Sequence, residues 1–263
     1  MRLPGGLVEG DTRRRDWAFR PVSGELELAV AEAGEASATM PLAVTRALAV
    51  ALRHLAGVAP NETRVADLCV GDRQFLMREL DRHLGSEGGW FEADCPQCGQ
   101  RFDFEVAYAD LPVQEAGPGF PCARVDMEGR QFRFRLPTGA DQQGLTAQPE
   151  ARAHAWLLGR LIQEGDLPEV PGQDLIAAAE GALESIAPGI VSKVQAACPS
   201  CGTINEVELD PYRVLSRRTD SLLQEVHQIA LHYHWSEADI LRLPRPRRLQ
   251  YLRLIDRARG MAA

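Results

Sequence analysis

The chain has 263 residues, 45% hydrophobic and 25% charged, a composition that excludes a disordered polymer and leaves room for one large or two small domains. With 29 basic against 37 acidic residues its formal charge is −8, which argues against a sequence-independent nucleic-acid binder. That charge is uneven, because residues 211–263 carry +5 and the first 210 carry −13. A basic tail on an acidic body points to a protein partner, or to docking on its own domain, before it points to DNA.

The first ten residues lack the apolar centre of a signal peptide, and no run of about 18 apolar residues follows anywhere, so a cytosolic, non-membrane location is expected. Residues 1–38 hold Gly5-Gly6, the Arg13-Arg14-Arg15 run and then an alternation at 25–30 that predicts one strand after an irregular start. Over 41–58, Leu42, Leu48, Leu52 and Leu55 fall near one helical face, and 61–70 extends the helical region beyond Pro60. Asp72 stands where an N-cap belongs, ahead of Phe75, Leu76, Leu80 and Leu84, and Gly85 ends that helix.

From 90 to 135 the period changes to two. Phe102, Phe104 and Val106 alternate with Asp103 and Glu105, and Phe132 and Phe134 alternate with Arg133 and Arg135, which predicts a small antiparallel region. Asp141 follows as the cap of another helix. Helices are expected over 150–164 and 173–186, a strand over 203–209, and a long helix over 212–235. Ser236 with Asp239 forms a capping box, and an Arg-rich helix closes the chain over 247–259, after Pro244 and Pro246. The division that results is an N-terminal strand and loop segment (1–38), a core with an inserted middle region (39–210) and an Arg-rich helical tail (211–263).

One internal repeat carries chemistry. Cys95-Pro96-Gln97-Cys98-Gly99 recurs as Cys198-Pro199-Ser200-Cys201-Gly202, and Phe104-Glu105-Val106 aligns with Val207-Glu208-Leu209 at the same offset. Two intervening residues let both thiolates of a pair reach one ion, and the glycine permits the tight turn. Because tetrahedral zinc takes four ligands and each knuckle supplies two, the economical arrangement is a single structural Zn2+ site on Cys95, Cys98, Cys198 and Cys201. A redox dithiol and metal-free turns are the competing readings; strand-like sequence after each pair disfavours the first, since a low-pKa CxxC sits at a helix N-terminus. Cys69 and Cys122 fall outside the spacing and are expected to be buried, inert thiols.

His227, His232 and His234 crowd one helical stretch without the HExxH spacing of a metal-binding pair, so packing is the simpler reading. Gly71-Asp72-Arg73 reads as a cap with an arginine in the first turn, and no GxSxG, Walker or dinucleotide motif appears in a fitting context. The expectation is a non-enzymatic α+β protein, mainly helical, with its small antiparallel β region built on two CPxCG zinc knuckles.

The order of Val70-Gly71-Asp72-Arg73-Gln74-Phe75-Leu76, a CPxCG knuckle, Phe134-Arg135-Leu136-Pro137-Thr138-Gly139-Ala140-Asp141 and a second knuckle resembles the baseplate hub assembly chaperones related to those of T-even phages. The versions found with phage-tail-like contractile injection particles are the nearest in pattern. Glu225-Val226-His227-Gln228-Ile229-Ala230, His234-Trp235-Ser236-Glu237 and Leu243-Pro244-Arg245-Pro246-Arg247-Arg248 are similar to a short helical motif of such gene clusters. The resemblance spans residues 40–260 and implies a non-enzymatic assembly chaperone or minor baseplate component. Its partners would be hub, spike or wedge proteins in the bacterial cytoplasm, or the particle itself. A zinc-ribbon adaptor for nucleic acid or another protein is the alternative, and the acidic body counts against nucleic acid. The amphipathic tail, with Leu222, Leu223, Val226 and Ile229 on one side, suits either a partner's groove or its own domain.

Overall fold

A computed structural model describes residues 1–86, 88–216 and 218–260. The chain opens with an antiparallel hairpin, β1 (Arg2–Glu9) and β2 (Thr12–Phe19), turned at Gly10, whose φ of 59° lies in the left-handed region. Helix α1 (Gly24–Glu35) then occupies the stretch where alternation predicts a strand. Ser23 caps it, Oγ accepting from the Leu26 N–H at 3.2 Å, and Leu26, Val30, Ala31 and Ala33 are buried. Over so few residues Glu25-Leu26-Glu27-Leu28 fits a period of two as well as 3.6, and the cap with the alanines that follow favours the helix.

Helix α2 (Met40–Ala51) stops short of the expected end, and β3 (Leu52–Leu55) joins the first sheet beside β2. Leu52 and Leu55 are therefore buried from a strand rather than along a helix face. After α3 (Glu62–Ala66), capped by Asn61, comes α4 (Val70–His83), and Gly85 turns the chain away with φ 96°. The three-stranded sheet and α1, α2 and α4 enclose one core that includes Leu3, Trp17, Val30, Leu48, Leu55, Leu76 and Leu80.

The period-two region forms two separate sheets, not one. β4 (Gly88–Asp94) and β5 (Arg101–Ala107) make one hairpin; after the two-residue β6 (Val113–Gln114), β7 (Cys122–Met127) and β8 (Arg130–Arg135) make another. Following α5 (Gly139–Leu145), α6 (Glu150–Leu161) ends before its expected limit, because β9 (Ile162–Glu164) pairs with β8. Helix α7 (Gln173–Ile186) has the expected bounds and packs Leu175, Ala179 and Leu183 with Ala123, Val125, Phe132 and Phe134 in a second core. β10 (Gly189–Ile190) pairs back with β6, and β11 (Lys193–Ala197) with β12 (Ile204–Glu208) forms the last hairpin.

The long helix expected over 212–235 is divided. A 3-10 turn at Arg213–Ser216 precedes α8 (Thr219–Tyr233), and His234 adopts a left-handed φ of 53° before α9 (Glu237–Leu241) and α10 (Arg245–Ala258). Ser236 caps α9 as the sequence suggests, its Oγ accepting from the Asp239 N–H. Leu222, Val226, Ile229, Ile240, Leu241 and Ile255 form a tail core that Leu28 of α1 joins. Arg248, fully buried, bonds Glu27 at 2.8 Å, Glu225 at 3.0 Å and the Leu243 carbonyl at 2.8 Å. The tail thus docks on its own domain, and of the four apolar residues read on one side of it Leu223 is left outside, 42% exposed. The fold is α+β with small antiparallel sheets, and among the described residues no helix is long and apolar enough to cross a membrane.

Candidate metal centre

Both cysteine pairs sit at the tips of two-stranded hairpins. β4 runs directly into Cys95 and β11 into Cys198, while β5 and β12 carry the chain away. The turns are matched: Gly99 N–H donates to the Cys95 carbonyl at 2.8 Å and Gly202 N–H to the Cys198 carbonyl at 2.9 Å. Each glycine takes a positive φ, 70° and 74°, which an L side chain disfavours. Cys95 N–H donates to the Gln100 carbonyl at 3.0 Å and Cys198 N–H to the Thr203 carbonyl at 2.8 Å. Asn205, buried behind the second turn, donates from Nδ2 to that same Thr203 carbonyl. The sequence repeat is therefore a repeat of backbone geometry.

The inner faces of the hairpins meet, Phe102, Ala93 and Phe104 of the first against Ala196 and Val207 of the second, and this contact brings the tips together. All four sulfurs lie within 4.8 Å of one another. The two short separations cross between knuckles, Cys95 to Cys201 at 3.6 Å and Cys98 to Cys198 at 3.7 Å. A disulfide needs about 2.05 Å. Four thiolates at about 2.3 Å from a central zinc ion form a tetrahedron with an edge of about 3.8 Å. The spacing fits a four-sulfur metal site and lies far from that of a bonded pair. Cys95 and Cys198 are buried, whereas Cys98 and Cys201 face solvent.

The two solvent-facing thiols are driven in opposite directions. Cys201 is held down to about 6, first by the Thr203 hydroxyl and then by the Thr203 backbone N–H. Cys98 stands at about 12: the Gln100 backbone N–H favours its thiolate, but partial desolvation within the cluster and the neighbouring Cys201, Cys95 and Cys198 sulfurs outweigh it. Crowding resists charging all four together, the repulsion that a divalent cation at the centre relieves. With four protein sulfurs on a tetrahedral ion no coordination position is left for water or substrate, so such a centre fastens structure and does not activate water.

The other two cysteines differ from one another. Cys69 is buried, its thiol pushed well up by burial and by the Asp72 carboxylate 3.4 Å away. Cys122 is only half-buried, correcting the expectation for it, because it opens β7 at the sheet's end next to Arg133. His232 accepts from Arg259 Nε at 3.1 Å and meets the Gln228 carbonyl, and His227 is exposed on α8.

The residues read as simple caps form a joint between the two halves of the chain. Cys69, not Asp72, is the N-cap of α4; Asp72 sits in the first turn, fully buried, and accepts from the Gly5 and Gly6 N–H groups at 2.7 and 2.6 Å. Its sequence signal was that of a cap, but its carboxylate serves a different element, β1. Arg73 is buried, has no carboxylate partner among the described residues, and donates to Thr45 Oγ1, the Val65 carbonyl and the Pro41 carbonyl. Burial lowers its pKa to about 10, so it stays charged at neutral pH. Thr138 is the N-cap of α5, and Asp141 reaches back to accept from its N–H at 3.0 Å while pairing with Arg135.

The segments 70–76 and 134–141 lie edge to edge. Val70 N–H donates to the Pro137 carbonyl and Gly139 N–H to the Leu68 carbonyl, both at 3.1 Å, and Cys69 and Thr138 form an antiparallel bridge. Gly139 lies so close to the Arg73 guanidinium that a Cβ there would stand 2.3 Å from Nη1. Comparison with protein-family models, curated proteins and solved structures found no match for this chain.

Proposed function

We propose that the protein is a non-enzymatic assembly chaperone, or minor component, of the baseplate hub of a contractile phage tail or phage-tail-like injection particle. Its clients on this reading are hub, spike or wedge proteins, met in the bacterial cytoplasm. The support is the order of motifs together with their placement. Segments 70–76 and 134–141, which carry the resemblance, are buried framework clasped to one another, and the knuckles between and after them converge. Residues used in this way shape a platform; they do not face a substrate. Zn2+ is the ion proposed for the cysteine cluster, since four thiolates at tetrahedral spacing suit zinc and leave it coordinatively closed. Cys95, Cys98, Cys198 and Cys201 would hold it, and bound there it would tie two hairpins about a hundred residues apart in sequence.

The test is a pull-down of the tagged full-length chain from bacteria producing contractile particles, with soluble complexes and sedimenting particles analysed separately by mass spectrometry. Recovery of hub, spike or wedge proteins in the soluble fraction alone supports a transient chaperone. Recovery in particles supports a resident baseplate component. Recovery of neither overturns the reading, as does salt-sensitive binding of duplex or RNA in their place, which would favour the adaptor. Metal analysis of the purified chain is expected to give one zinc per chain, and iron in its place would overturn the ion assigned.

A further inference from the structure

The outer face of the first knuckle hairpin sets an exposed indole among carboxylates. Cross-strand register places Trp90 opposite Glu105, Glu92 opposite Asp103 and Asp94 opposite Arg101, and all six side chains face solvent. Trp90 is 67% exposed. Arg101 pairs with Asp94 at 2.9 Å and reaches Glu92 at 4.0 Å, while Asp103 and Glu105 make no ion pair among the described residues. Carboxylates directly opposite on neighbouring strands destabilise a hairpin, and an indole left two-thirds exposed gains little from folding. The face is therefore strained in charge and open in apolar area, as a surface awaiting a cation-rich occupant would be.

The same chain carries a surface that fits it. Arg247, Gln250, Arg253, Leu254 and Arg257 share the outer side of α10, all exposed, with no carboxylate among them. Arg247 lies over the Tyr251 ring, and none of the three arginines makes an ion pair among the described residues. Arg247 to Arg257 spans about 15 Å of helix. Trp90 to Asp94 spans about 14 Å of strand. We propose that α10 of one molecule docks on the β4–β5 face of a second copy, Leu254 against Trp90 and the arginines against Glu92, Asp103 and Glu105. Indole and guanidinium add a cation–π contact to the charge complementarity. Because the two surfaces differ, the contact is heterologous, and repeating it yields a ring or an open chain of molecules.

Sedimentation velocity of the full-length chain tests this directly. The wild type is expected to associate beyond the dimer with rising concentration at low salt and to dissociate at high salt. A hairpin variant, Glu92→Gln with Glu105→Gln, and a tail variant, Arg253→Gln with Arg257→Gln, should each lose self-association while keeping wild-type circular dichroism and cysteine-bound metal. Mixed in equal amounts the two variants still offer one intact pair of faces, and they should form a complex of two chains that grows no further. A wild type that stays monomeric throughout overturns the proposal, as do variants that associate like the wild type or a mixture that stays monomeric. Trp90→Ala is expected to weaken association in the same assay, and no change would remove the indole from the contact.

Discussion

Replacing Gly139 by alanine tests the clasp between the two halves of the chain. An alanine Cβ at that position would sit 2.3 Å from Arg73 Nη1, 2.4 Å from Cζ and 2.7 Å from Nε. A guanidinium at the end of a free side chain would swing aside at little cost, but Nη1 is tied to Thr45 Oγ1 at 3.0 Å and to the Val65 carbonyl at 3.1 Å, and Nη2 to the Pro41 carbonyl at 2.7 Å. Retreat of about an ångström gives up two of these charged hydrogen bonds at roughly 1.5–3 kcal/mol each. Against this stands a gain of at most about 1 kcal/mol in helix propensity at the start of α5. The expected net loss is about 3 kcal/mol, read as a lower urea midpoint at unchanged slope. In an Arg73→Met background, where no guanidinium has to move, the same substitution should be neutral or slightly stabilising, so the two positions couple by nearly the full amount. Equal costs in both backgrounds, or no cost in the wild type, would refute the clasp.

Cys98→Ser and Cys201→Ser should each abolish metal binding in the purified chain, because either leaves three sulfurs at one site; half the metal retained in each would mean two independent sites. At Asp141, burial by itself favours the neutral acid, but the Arg135 guanidinium and the Thr138 N–H outweigh it and hold the pKa below the ordinary value. The stabilisation is therefore full above the unfolded value of about 3.9 and fades as pH falls through the lower folded value. Asp141→Asn should cost about 2 kcal/mol at neutral pH and lose less than the wild type on acidification, as acid titrations of urea midpoints will show. Arg248→Met leaves Glu27 and Glu225 close together without their shared cation, and a loss of about 3–5 kcal/mol is expected. Limited proteolysis should then cut within the tail before the body, and cleavage starting elsewhere would refute its role as the latch.

The sequence alone reached the elements whose signal is local. Gln173 to Ile186 carries a long apolar period with helix-forming residues, and its helix has the expected limits. The alternation around Phe102 and Phe132 marks strands, and the CPxCG spacing dictates turns whose glycines need positive φ. Short segments with two admissible periods were not legible. The run at 25–30 alternates, yet Ser23 and the alanines draw it into a helix. Helices over 41–58 and 150–164 were cut short because Leu52–Leu55 and Ile162–Glu164 found strand partners, and pairing depends on chain far away in sequence.

The four cysteines were identifiable as metal-ligand types from spacing alone, because two thiols that must reach one ion tolerate few separations. The four-ligand count of a tetrahedral ion pointed to one shared site, and the sulfurs do meet; what holds them together is hydrophobic contact between hairpins about a hundred residues apart, which no local pattern encodes. Asp72 and Arg73 make the same point. A carboxylate and a guanidinium at the start of a helix look like a cap with an arginine in the first turn. Only the approach of β1 and of Gly139 turns them into buried joints, since what a polar side chain bonds is set by whichever backbone groups the folded chain brings within reach.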